Sequence, residues 1–146
     1  MTQVNYGKLV LIMMIVAMAI AGCGNQEVVK DSERLQGTWK GTELGGRCGE
    51  WKIVITDDKV QADGPGPEDY SGTIILDETT SPTSAQLTIN KCAFKQYVGA
   101  TANNIYKFED DKLILAGSEP GSNTKPVAFE SGNGIRVFEF EKVEVE

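Results

Sequence analysis

Carboxylates, thiols and glycine-rich turns are the parts of this chain that could do chemistry, and their spacing limits what each can do. Glu43, Glu50 and Asp69 fall near strand ends, where carboxylates can work as an acid and base pair. No spacing in the sequence makes the three converge, and exposed acidic residues are ordinarily solvated. Histidine is absent, which removes Ser-His-Asp and Cys-His nucleophilic catalysis and any imidazole-held zinc or copper. Asp57-Asp58-Lys59-Val60 and Asp110-Asp111-Lys112-Leu113 repeat one pattern. Calcium is one use of such Asp pairs, but no EF-hand-like loop of oxygen ligands surrounds them. Tight hairpin turns are the other, because Asp bonds the local backbone and tolerates left-handed geometry. Gly45-Gly46-x-x-Gly49 runs into a strand and not a helix, so it is no phosphate cradle. These residues lead to the expectation of a non-catalytic protein with no catalytic residues, no metal and no cofactor.

The thiols point to export. Lys8 carries the only side-chain charge ahead of Cys23, and residues 9–20 form an almost unbroken apolar run ending in small residues, the pattern of a secretory signal. Roughly 12 to 14 apolar residues fall short of the ~20 that a helix needs to cross a bilayer, so a permanent transmembrane anchor is the weaker reading. Ile20-Ala21-Gly22-Cys23 resembles the lipobox of bacterial lipoproteins. That resemblance implies cleavage before Cys23 by signal peptidase II, acylation of its thiol, and stable membrane attachment through several acyl chains. Gly24, where an Asp retains lipoproteins of enteric bacteria in the inner membrane, implies an outer-membrane protein facing the periplasm. An ordinary secretory signal with Cys23 incidental is the alternative.

The organisation expected is a signal peptide at 1–22, a polar lipid-anchored tether at 23–34 and one domain at 35–146. Cleavage removes one of the 14 basic residues and none of the 21 acidic ones, leaving a net charge of about −8. Nucleic acid and anionic lipid surfaces are poor partners for such a chain. With Cys23 committed to lipid, Cys48 and Cys92 are the remaining thiols in an oxidising compartment. A disulfide between them is expected, worth roughly 4 kcal/mol in the entropic view; two separate reduced thiols are the alternative.

The elements that must position these residues are strands. Gly, Pro, Asn, Asp and Ser gather between short segments of alternating apolar and polar residues, the signature of an all-β antiparallel meander. The alternation predicts strands at 37–44, 50–56, 59–63, 70–77, 85–91, 104–109, 112–116 and 134–143, and no helix. If these run up and down in order, the connections at 56–59, 77–84 and 109–112 share one tight end. Those at 45–49, 64–69, 92–103 and 117–132 share the other, and Cys48 and Cys92 fall there. A closed base and an irregular mouth are expected.

Leu35-Gln36-Gly37-Thr38-Trp39-Lys40 opens the meander, and further along stand Tyr106-Lys107-Phe108-Glu109, Asp111-Lys112-Leu113, Pro120-Gly121, Phe129-Glu130-Ser131 and Val137-Phe138-Glu139-Phe140-Glu141. In this order they resemble the lipocalin-like domains abundant in planctomycete bacteria, over residues 35–142. The resemblance implies an eight-stranded up-and-down barrel of calycin type. Gly37-x-Trp39 is similar to the Gly-x-Trp signature of lipocalins and fatty-acid-binding proteins, which implies that Gly37 and Trp39 are structural residues of the barrel base. An Arg of the last strand packs over that Trp in lipocalins. Arg136 is the candidate, yet antiparallel pairing of first and last strands sets Phe140 or Lys142 nearer Trp39.

The function expected is a monomeric, membrane-tethered binding module whose barrel takes a small apolar ligand. Trp51, Tyr70, Tyr97, Tyr106 and Phe108 are the candidate lining residues, packing being their other reading. The competing expectation is an envelope interaction or inhibitor protein with a filled core, acting through residues 92–103 or 117–132.

Overall fold

Two-residue turns at Asp57-Asp58 and Asp110-Asp111 set the tight end. Asp57 has φ 54°, and Asp110 and Asp111 have φ 50° and 61°, the left-handed backbone that a short Asp side chain tolerates. The computed structural model describes residues 27–144, so the signal peptide, Ile20 to Cys23 and Gly24 lie outside the described residues. Eight strands follow in sequence order: β1 (Gly37–Glu43), β2 (Glu50–Thr56), β3 (Lys59–Asp63), β4 (Asp69–Asp77), β5 (Thr83–Cys92), β6 (Thr101–Glu109), β7 (Lys112–Ser118) and β8 (Ile135–Lys142). Each pairs antiparallel with the next, and β1 pairs with β8, so the meander closes into a barrel with no free edge. The all-β barrel expected from the alternation is thus present. β2 shows how: Trp51, Ile53 and Ile55 are buried while Glu50, Lys52 and Thr56 face solvent.

The base is closed by a segment expected to be tether. Residues 31–34 form a single helical turn, α1 (Asp31–Arg34), and Leu35 behind it is buried in the core. One turn is too short to reveal helical periodicity and too short to hold alone. Its stability comes from three points of attachment. Tyr106 donates its hydroxyl to Asp31 Oδ2 at 3.1 Å, the Arg34 guanidinium sits 3.8 Å above the Phe108 ring, and Lys142 Nζ donates to the Arg34 carbonyl at 3.1 Å. Trp39 fills the base as the Gly-x-Trp pattern implies, its Nε1–H donating to the Leu35 carbonyl at 2.8 Å. The cation over its ring is Lys142, with Nζ 5.4 Å from the centroid, in keeping with the Trp39–Lys142 register. Gln36 ties the same lid to the β2–β3 turn, accepting from Asp57 N at 2.7 Å and donating to Asp57 O at 3.1 Å.

Residues 119–134 differ from their expected place at the mouth. Their two ends stand there, but the middle folds down the outer wall of β6, β7 and β8. Phe129 packs on a second core of Ile105, Ile114, Ala116 and Val137, which lies outside the barrel. Lys107 Nζ stands 5.0 Å from the centroid of the Phe129 ring, and Ser131 Oγ donates to the Leu44 carbonyl at 2.9 Å. The signal for this was an apolar run on both faces of one strand, Leu113-Ile114-Leu115-Ala116, which a wall wet on one side does not need.

Leu35 joins the lid to the barrel core, so Leu35→Ala is expected to lower unfolding stability by about 3 kcal/mol, measured by urea denaturation. A loss below about 0.5 kcal/mol, the size of an ordinary surface substitution, would show that the helical turn is not part of the cooperative fold.

Candidate functional site

The inward faces of the strands do not meet. Between them runs a cavity of about 660 Å³, which falls in the range of small-molecule sites, roughly 300–1,000 Å³. Its floor is apolar: Leu35, Ile55, Val60, Leu113 and Phe140. Trp51, Ile53, Ala85, Leu87, Tyr106 and Phe138 form the walls, and Arg47, Glu68, Phe94, Tyr97, Glu119 and Arg136 stand at the mouth.

Four of the five aromatic residues expected to line it do so: Trp51, Tyr70, Tyr97 and Tyr106. Phe108 does not. It shares the inward face of β6 with Tyr106, but it is one step nearer the Asp110 turn, which places it below the floor. There its ring centroid lies 6.2 Å from that of Trp39, and Arg34 covers it. The other aromatics form a continuous wall toward the mouth. Trp51 and Phe138 meet edge to face at 5.2 Å, Trp51 and Tyr70 stack at 6.5 Å, Tyr70 and Phe94 at 6.5 Å, and Phe94 and Tyr97 tilt together at 5.9 Å. Gly64 makes room for this wall, since a Cβ there would lie 2.5 Å from the Trp51 ring. Burial raises the Tyr106 phenol above its ordinary value, with Asp31 adding to it. The hydrogen bond to Glu119 pushes Tyr97 up to about 12.

An ion network at the mouth was not anticipated. Glu43 binds Arg136 through both oxygens, at 2.9 Å from Nε and 2.6 Å from Nη2, and Arg136 Nη1 reaches Glu68 at 3.0 Å. The other oxygen of Glu68 accepts from Arg47 at 3.2 Å. The Arg136 guanidinium also lies 5.2 Å from the rings of both Trp51 and Phe138. The last-strand arginine therefore stacks on the Trp of β2, while Trp39 takes Lys142. Period-two alternation carries the clue: Trp39, Gly41 and Glu43 share one face of β1, and Arg136, Phe138 and Phe140 share one face of β8. Both charges had to be inside, where only pairing makes them affordable. The hydrogen bond from Arg136 holds the Glu43 carboxyl below its ordinary value. Glu50 faces outward and pairs with Lys40 at 3.2 Å, and Asp69 is exposed, so the three carboxylates considered for acid and base work do not converge.

Cys48 and Cys92 both lie at the mouth end, as expected, but they are separate thiols and the expected disulfide is not formed. Cys48 is exposed in the loop between β1 and β2. Cys92 ends β5, is half-buried, and turns its thiol onto the Phe94 carbonyl at 3.0 Å, into the β5–β6 loop.

Arg136→Met would leave Glu43 and Glu68 without their shared cation. Arg136 is itself about a third exposed, so the expected loss at neutral pH is about 2 kcal/mol, below that of a wholly buried pair. Glu43 fixes the pH dependence. Its carboxyl titrates lower in the folded state than its ordinary 4.5, so its contribution is present above pH 4.5 and is lost as the pH falls through the folded value. In the variant the uncompensated Glu43 carboxylate takes up a proton more readily, so the gap between variant and wild type is expected to narrow below pH 4.5. Denaturation curves across that range check it, and a gap that stays constant into acid rules out Glu43 as the titrating group.

No protein-family model matches this chain, and comparisons with curated proteins and with solved structures find no match either.

Proposed function

We propose that this protein is a non-catalytic binding module of the bacterial cell envelope, anchored through acylated Cys23, whose barrel takes a small apolar ligand. The single observation that carries the reading is the hollow interior, about 660 Å³ with an apolar floor and its charged side chains confined to one end. A barrel of eight strands can be filled by its own side chains. This one keeps Ala62, Ala85, Ala102 and Gly117 on or beside inward positions where larger residues would close the space. The lipocalin-like run at 35–40 and the Gly37-x-Trp39 pattern support the same reading by resemblance.

The placement of α1 bears on orientation. The chain reaches the barrel at its closed end, and from Cys23 to Lys30 it can span only about 25 Å when extended. An acylated Cys23 would therefore keep the base toward the membrane and the mouth toward the periplasm, so a ligand is exchanged with the aqueous side or with another envelope protein. The competing reading, an interaction protein with a filled core, gains less support, because the interior is hollow and Phe129 of residues 119–134 packs on the barrel's own wall, leaving Val127 as the exposed large apolar side chain of that loop.

A panel of apolar compounds tested by native mass spectrometry and thermal shift is expected to yield binders that form one-to-one adducts. Leu87→Trp, which places a large side chain in the cavity, is expected to weaken them about tenfold or more without lowering stability. Absence of any adduct across the panel, or unchanged affinity in Leu87→Trp, would remove the small-ligand reading.

A further inference from the structure

Four charged side chains line the cavity, and all stand at its mouth: Arg47, Glu68, Glu119 and Arg136. Arg136 is the guanidinium that points inward, and its charge is already matched twice, by both oxygens of Glu43 and by Glu68. Arg47 holds the remaining oxygen of Glu68 from solvent, its side chain 74% exposed where that of Glu68 is 8% exposed. With Glu43 included, two cations face three carboxylates, a net charge of −1. An anionic head group entering here would have to displace a buried carboxylate from Arg136 and would also meet Glu119. Removing one partner from such a pair is costly, because it leaves a charge unmatched in a poorly solvated place.

The aromatic wall has the opposite preference. Tyr70, Phe94 and Tyr97 run between Glu68 on one side of the mouth and Glu119 on the other, and the Tyr97 hydroxyl fixes the Glu119 carboxylate by donating to it. Burial, with Glu68 and Glu119 adding to it against Arg136, holds the Tyr70 phenol above its ordinary value. Ring faces attract cations, and flanking carboxylates reinforce them. We infer that the cavity selects a monocationic amphiphile, with an apolar body on the Leu35 floor and an ammonium group at the mouth beside Glu119 and the Tyr97 ring. The inference rests on the cavity being a ligand site and names the class of ligand it takes.

Decylamine, decanol and decanoate share one apolar chain and differ in head-group charge. Each is titrated into the full chain at neutral pH and low salt, below micelle formation, and read by tryptophan fluorescence and native mass spectrometry. The amine is expected to bind about tenfold more tightly than the alcohol, and the carboxylate most weakly. Glu119→Gln, a change at the exposed rim, is expected to erase much of the amine's advantage and leave decanol unaffected. Equal binding of amine and alcohol, or tightest binding of decanoate, overturns the ammonium preference while leaving the cavity a ligand site. Failure of all three to bind overturns both.

Discussion

The seam between β1 and β8 is the constraint on which the rest of this barrel depends. Seven of its eight strand pairings join neighbours in sequence, but this one joins the two ends of the domain, so no connecting turn helps to set its antiparallel ladder. Its middle is Gly41, where a Cβ would lie 1.9 Å from the Glu139 carbonyl oxygen, so no other residue lets β8 approach without displacement. Below it, Lys142 covers Trp39 and holds the Arg34 carbonyl. Above it, Glu43 grips Arg136 through both oxygens, and the Leu44 amide bonds the Val137 carbonyl at 2.8 Å. Floor, closure and mouth are therefore three levels of one strand pair. Disturbing that pair would open the cavity at both ends.

A hollow barrel forgoes the dispersion and burial that a filled interior would supply. This chain recovers part of it elsewhere. The base is dense, with Leu113 and Phe140 almost wholly buried beside Trp39. The loop of residues 119–134 then adds a second apolar cluster on the outer wall, where Ala116 and Val137 are as inaccessible as the residues inside. The sheet is covered on both faces along β6, β7 and β8, and on one face elsewhere. That division explains how a wall can border empty space without collapsing into it: stiffness comes from ladder hydrogen bonds and from packing on the far side.

What could be read from the amino acids follows from range along the chain. Strands β2 and β3 begin and end where the alternation predicted, because their signals are local: period two, then an Asp turn. The base and mouth could be ordered from connection lengths, and the Trp39–Lys142 neighbourhood from antiparallel register. The turn at Asp31–Arg34 left no trace, since a single turn carries no periodicity and its partners Tyr106, Phe108 and Lys142 are far away in sequence. The Arg136–Glu43–Glu68 network was half legible. Alternation puts Glu43 and Arg136 inside, whereas Glu68 comes from an irregular loop whose path no pattern fixes. Cys48 and Cys92 are unbonded in the structure: connection lengths place both residues at one end, but not the direction in which either thiol points.

The polarity of the cavity follows from how its two ends are sealed. At the base the cations Arg34 and Lys142 lie over Phe108 and Trp39 from outside, so their charge closes the lid without entering the space above it. At the mouth Arg136 lies over Trp51 and Phe138 from within, and its charge does enter, accompanied by carboxylates. The same cation-on-ring contact therefore yields a dry floor and a wet rim, according to which side of the ring the cation occupies. A molecule with one apolar and one polar end is matched to that gradient in a single direction only. Such a molecule would fit with its apolar end leading, because reversing it would carry a polar group down to the apolar floor of Leu35, Val60 and Phe140.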